Sequence, residues 1–106
     1  HIENRSGEPA ANPYLFIGSQ IAAGLDGLSN KRDPGPPLSD PYAQTDQPAL
    51  PRSLMEAVVA LSESDVMRDA FGNTFVDYYL AAKQQEIHRF LSTVTEWEHR
   101  EYFERF

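Results

Sequence analysis

Between Lys31 and Arg52 the chain carries six of its eight prolines. Proline fixes φ, removes a backbone donor and restricts the residue before it, so no helix or central strand can run through Pro34, Pro36 and Pro37. Residues 31–52 are therefore expected to form a defined extended loop, and loops of this length are commonly functional or act as packing straps. The loop divides the chain into a short N-terminal region and a longer region with helical periodicity.

On the N-terminal side, Asn12 followed by Pro13 combines a helix N-cap with proline at the first helical position. From there Tyr14, Ile17, Gly18, Ile21, Leu25 and Leu28 recur at helical spacing, which predicts a helix over 12–30 with one apolar stripe. Gly18 and Gly24 each cost about 1 kcal/mol of helix propensity relative to alanine, which suggests that a neighbour packs closely there. Gly27 and Asn30 suit the helix end. Before this helix, Ser6-Gly7-Glu8-Pro9 are turn-formers. The five residues His1 to Arg5 are too few for a helix and are expected to form a short strand, with His1, Glu3 and Arg5 on one face and Ile2 and Asn4 on the other.

Residues 53–106 read as a helical region. Ser53-Leu54-Met55-Glu56 has the form of a capping box, in which the serine side chain accepts from the third amide and the glutamate returns to the cap. Leu54, Val58 and Leu61, flanked by Met55 and Val59, are expected to face a core. A short helix over Asp65–Phe71 stops at Gly72, and Asn73 can cap the longest helix. That helix gathers Val76, Tyr79, Leu80, Ile87, Phe90 and Leu91 on one face, interrupted by Lys83. Thr95-Glu96-Trp97-Glu98 is a second capping box, opening a last helix with Trp97, His99, Tyr102, Phe103 and Phe106. Glu96 with Arg100, and Glu101 with Arg105, are i,i+4 pairs. The expected fold class is α+β, one short strand followed mainly by α-helices.

Composition narrows the function classes. A formal net charge of −7 leaves no clustered lysine and arginine surface for a phosphate backbone, so nucleic acid is not an expected partner. The absence of cysteine removes disulfides, thiolate zinc sites and cysteine nucleophiles. It also fits a reducing compartment, and cytoplasm is the expected location. No apolar run approaches the ~20 residues of a spanning helix, so no membrane association is expected. At 106 residues the chain is short for an enzyme that holds several substrates. It opens on His1 directly into patterned sequence, and is expected to be a piece of a longer polypeptide.

One polar constellation has a plausible chemical geometry. A carboxylate such as Glu3 is a hard oxygen ligand suited to Mg²⁺ or Mn²⁺, and a guanidinium two residues on, Arg5, can grip a carboxylate or phosphate bidentately. With His1 on the same face, these residues could form half of a phosphoryl-transfer site. Alternating charges equally describe a solvated or salt-bridged face. His88 and His99 lack a second ligand at helical spacing and read as surface histidines, and the acidic residues of the last two helices read as a solvated face. Glycine-rich phosphate loops and serine nucleophile elbows are absent from the sequence.

Ile2-Glu3-Asn4-Arg5, Pro9-Ala10-Ala11-Asn12-Pro13-Tyr14-Leu15 and Ala22-Ala23-Gly24-Leu25-Asp26-Gly27 together resemble the C-terminal region of the glutamine synthetase family. The resemblance continues in order through Asp33-Pro34-Gly35-Pro36-Pro37, Leu50-Pro51-Arg52-Ser53-Leu54 and Thr95-Glu96-Trp97-Glu98. It implies the C-terminal part, over 1–106, of the catalytic domain of an ATP-dependent ligase that phosphorylates the γ-carboxylate of glutamate and lets ammonia displace the phosphate. It further implies Glu3 as a ligand of Mg²⁺ or Mn²⁺, Arg5 as a substrate-binding residue, homo-oligomeric rings, and no activity for the fragment alone.

The chain also departs from the family. Housekeeping bacterial members usually carry arginine where His1 stands. Tyr42 lies near a tyrosine that some bacterial members adenylylate, but Ser39-Asp40-Pro41-Tyr42-Ala43 does not match the regulatory motif. The first segment and the Trp97 segment look closer to divergent branches that join glutamate to polyamines or methylamine. Two further readings stay open: a family member without catalysis that serves assembly, and an unrelated helical module whose acidic faces bind a basic partner.

Overall fold

The computed structural model describes residues 3–37, 40, 48–103 and 105. Five helices follow one another: α1 (Pro13–Ser29), α2 (Leu54–Ser62), α3 (Asp65–Phe71), α4 (Asn73–Leu91) and α5 (Glu96–Tyr102). They fall into two compact units. The first takes residues up to Pro48 with Asp65–Gly72, and the second takes Ala49–Ser64 with Asn73 onward.

The expected strand is not there. Among the described residues no strand occurs, and Glu3, Asn4 and Arg5 are coil. An extended segment becomes a strand only when a neighbour accepts and donates its backbone hydrogen bonds, and no element among the described residues does so for Glu3, Asn4 and Arg5. The fold is therefore helical, not α+β. His1, Ile2, Tyr42 and Phe106 lie outside the described residues.

In the first unit, α1 begins as its sequence dictates. The Asn12 side-chain oxygen accepts from the N–H groups of Tyr14 at 3.0 Å and Leu15 at 3.3 Å, and Pro13 opens the helix. The end is built differently from expectation. Asn30 is the C-cap, and the left-handed position falls to Lys31 (φ 49°) instead of a glycine. The N–H of Lys31 donates to Leu28 O at 3.2 Å and that of Arg32 to Gly27 O at 2.9 Å, the paired bonds of a Schellman motif. Asp26 reinforces this exit, accepting from Asn30 Nδ2 at 2.7 Å and from Arg32 Nε at 2.9 Å. α3 packs on α1.

In the second unit α2 packs on α4. Ser53 caps α2 by accepting from Glu56 N–H at 3.2 Å, but the Glu56 carboxylate accepts from Arg52 N–H at 2.8 Å rather than from the cap residue. α5 carries the full capping box: Thr95 Oγ1 accepts from Glu98 N–H at 3.2 Å, and Glu98 accepts from Thr95 N–H at 2.7 Å. The ion pair between Glu101 and Arg105 also forms.

Burial is sparse. Among the described residues the buried hydrophobics are Val76 and Leu80, both on α4. Val58 and Leu61 are half-buried, whereas Leu54, Met55 and Val59 are exposed, so the apolar face expected on α2 is only partly covered. Ile17, Ile21, Leu25 and Leu28 leave the stripe of α1 open along its length.

Candidate functional site

The sequence places Glu3 and Arg5 together, and so does the structure. Arg5 Nε donates to Glu3 Oε1 at 2.7 Å, and the two side chains are 87% and 57% exposed, in that order. This is an open acid–guanidinium pair rather than a buried salt bridge. Such a pair contributes about 0–1 kcal/mol to stability, so folding alone gives little reason for it.

Its position depends on the residue between them. Asn4 Oδ1 accepts from the N–H of Ser6 at 2.8 Å, which bends the chain just beyond Arg5. Asn4 Nδ2 donates to Gln20 Oε1 at 2.9 Å, attaching the segment to α1. Downstream, Glu8 Oε1 accepts from Ala10 N–H at 3.1 Å and the Glu8 carbonyl from Ala11 N–H at 3.0 Å, leading into the Asn12 cap. Gln20 was not legible as a site residue, because a single polar side chain on a helix leaves no mark in hydrophobic periodicity.

The pair offers one hard oxygen ligand and one anion donor. A carboxylate has a second oxygen and a guanidinium two further nitrogens, so both groups can serve a metal and an anion beyond their mutual bond. Mg²⁺ demands near-octahedral coordination. Among the described residues no three His, Asp or Glu side chains gather as a metal site. A metal held by Glu3 would need its remaining ligands from outside the described residues. His88 and His99 are exposed, on α4 and α5 respectively.

Other polar clusters are structural. Lys83 donates to Glu86 at 2.7 Å and lies 5.7 Å from the Tyr79 ring centroid. The hydrogen bond to Glu86 raises the lysine above its ordinary pKa, and the same bond lowers Glu86. A groove of about 380 Å³ along α2 and α4 is lined chiefly by Leu54, Met55, Ile87, Phe90 and Leu91, with Ser53 and Glu86 at its polar margin. No helix among the described residues is long and apolar enough to cross a membrane.

A helical segment that presents one carboxylate and one guanidinium on a tethered coil can contribute part of a site for a metal and an anionic substrate. Residues 1–102 match the family described as glutamine synthetase, catalytic domain, and the chain belongs to that family. It is 46% identical over 114 residues to a gamma-glutamylanilide synthase of Acinetobacter sp, with 96% of this chain and 23% of that protein covered. It is 43% identical over 88 residues to human lengsin (81% of this chain, 17% of that protein). It is 37% identical over 113 residues to a glutamine synthetase of Halobacterium salinarum (99% and 25%). The chain spans about a quarter or less of the length of these relatives.

Proposed function

We propose that this chain is the C-terminal part of an ATP-dependent glutamate–amine ligase, with Glu3 and Arg5 as its contribution to the active site. The observation that carries the reading is the family match over residues 1–102 together with the contact between Glu3 and Arg5 at 2.7 Å. In the proposed reaction a γ-carboxylate oxygen of glutamate attacks the terminal phosphorus of ATP, forming γ-glutamyl phosphate and releasing ADP. The amine nitrogen then attacks the acyl carbon, the C–O bond to phosphate breaks, and the nitrogen gives up a proton. A divalent ion, Mg²⁺ or Mn²⁺, would supply charge neutralisation for the phosphoryl oxygens. Glu3 supplies one of its ligands, and Arg5 holds the glutamate or the γ-phosphoryl group through charge-assisted hydrogen bonds.

The acceptor in this reading is ammonia. A substituted amine is the second reading, supported by the 46% identity to a protein named for a γ-glutamyl anilide. The part spanned here is expected to be inactive alone. The uncovered stripe of Ile17, Ile21, Leu25 and Leu28 supports its packing within a larger homo-oligomeric ring, and the location in this reading is the cytoplasm.

The test uses the longer ligase containing this chain, with ATP, glutamate, Mg²⁺ or Mn²⁺, and in turn ammonia, methylamine, a polyamine and aniline. Phosphate release coupled to one γ-glutamyl product is expected, and is lost in Glu3→Ala. Wild-type turnover in Glu3→Ala would remove the metal role. Absence of release with every amine would favour a family member without catalysis.

A further inference from the structure

Among the described residues, no backbone-to-backbone hydrogen bond joins the segment of the Glu3–Arg5 pair to a helix. Among the described residues, the first backbone-to-backbone bond outside the helices is Ala11 N–H to Glu8 O. What fixes residues 3–6 is one carboxamide used at both ends. Asn4 Oδ1 closes the local turn with Ser6 N–H at 2.8 Å, and Asn4 Nδ2 reaches sixteen residues along the sequence to Gln20 Oε1 at 2.9 Å. Gln20 is half-buried on α1, a helix of 17 residues that is capped at both ends. The turn sets the local shape of the segment, while the Gln20 bond sets its place against a rigid element.

We propose that Gln20 is a positioning residue for the active site, acting through Asn4 to hold Glu3 and Arg5 where metal and substrate meet them. The inference rests on the functional reading above. A ligand on coil loses affinity in proportion to the conformations it samples, and supporting hydrogen bonds to a rigid element restrict those conformations. Gln20 touches neither metal nor substrate. Its removal acts on binding geometry, and leaves the helix intact because leucine is a good helix former.

The experiment is a double-mutant cycle in the longer ligase, with Gln20→Leu, Asn4→Ala and the pair. Mn²⁺ binding is measured directly by titration calorimetry, glutamate KM and kcat by phosphate release, and Tm by calorimetry. Gln20→Leu is expected to weaken Mn²⁺ binding and raise glutamate KM by about three- to tenfold, the scale of one lost hydrogen bond. Its Tm is expected to stay within about 2 °C of wild type. The double variant should be no worse than Asn4→Ala, because both changes cut the same tether.

Wild-type Mn²⁺ binding and KM in Gln20→Leu would overturn the proposal, as would effects of the two substitutions that simply multiply. Gln20→Ala repeats the test without a bulky apolar group, and must behave as Gln20→Leu does. Glu3→Ala and Arg5→Ala separate the two levels. If they abolish turnover while Gln20→Leu is wild type, the tether alone fails. If they too bind Mn²⁺ and turn over as wild type, the assignment of the pair fails and takes the tether with it.

Discussion

The Phe71 ring of α3 lies where a Cβ added to Gly18 of α1 would stand 3.2 Å from its Cζ. The contact explains one glycine and not another: a Cβ on Gly24, six residues along the same helix, meets nothing within 4 Å. Both positions carry the same propensity cost, so their substitutions separate packing from backbone entropy. Gly24→Ala is expected to stabilise the chain by up to about 1 kcal/mol. Gly18→Ala should gain visibly less, since Phe71 must shift by a few tenths of an ångström, and Gly18→Leu should lose stability outright. Urea titration followed by circular dichroism reads the order, and equal gains at the two positions would remove the packing role of Gly18.

Among the described residues the buried hydrophobics are Leu80, 7% exposed, and Val76, 2% exposed. Leu80→Ala is expected to cost about 2–3 kcal/mol, at the lower end of core truncations because so thin a layer can relax. In a chain of this size such a loss is a large fraction of total stability. The calorimetric unfolding enthalpy of the isolated chain is correspondingly expected to differ from the van't Hoff value. A sharp two-state transition would contradict the weak core.

At α5 the reciprocal bonds of Thr95 and Glu98 make a pH prediction with a definite sign. The Thr95 backbone N–H, and then its hydroxyl, hold the Glu98 carboxyl below its ordinary value of 4.5. A carboxyl depressed in the folded state contributes stability that is present above its unfolded pKa and lost as pH falls through the folded one. The α5 amides are therefore expected to keep their protection down to about the ordinary glutamate value, and to lose it below. Glu98→Gln should flatten that acid limb. Thr95→Ala should weaken the helix by about 1 kcal/mol at neutral pH. Amide exchange at Glu98 and His99, whose N–H groups donate to Thr95, measures both effects, and an unchanged acid limb in Glu98→Gln would refute the assignment.

Glu3 should matter far less to folding than to chemistry. Its bond to Arg5 is exposed, so Glu3→Gln is expected to change the stability of the chain by less than about 1 kcal/mol. In the proposed ligase the same substitution should abolish metal-dependent phosphate release. A loss of stability as large as that of Leu80→Ala would mean that Glu3 serves the fold.

The helices were legible because their signals are local. Asn12 before Pro13, Gly72 after Phe71, and Thr95 with Glu98 all act within one turn, and each marks the boundary it predicted. Ser53 marked its helix too, although Glu56 returns to Arg52 N–H instead of the cap. The strand at 1–5 failed because alternation describes side-chain direction and says nothing of the partner whose backbone would complete the ladder. Glu3 and Arg5 meet without a strand, since two residues apart on coil is near enough for a 2.7 Å bond, the salt-bridged face that alternating charges equally describe. Gln20 was invisible for the opposite reason: its bond to Asn4 spans sixteen residues and depends on how the segment lies across α1. The left-handed turn at Lys31 escaped the same reading, because glycine is the residue that usually signals it.

The open apolar faces have a colloidal consequence. Seventeen large hydrophobic side chains among the described residues are exposed, from Tyr14 on α1 to Phe103 beyond α5. In the free chain, mutual repulsion from a net charge of −7 opposes the association of such surfaces. That repulsion shortens to about 3 Å of reach at 1 M salt. It vanishes near the isoelectric point of about 4.8. Association of the free chain is thus expected to rise with added salt and as the pH falls towards 4.8.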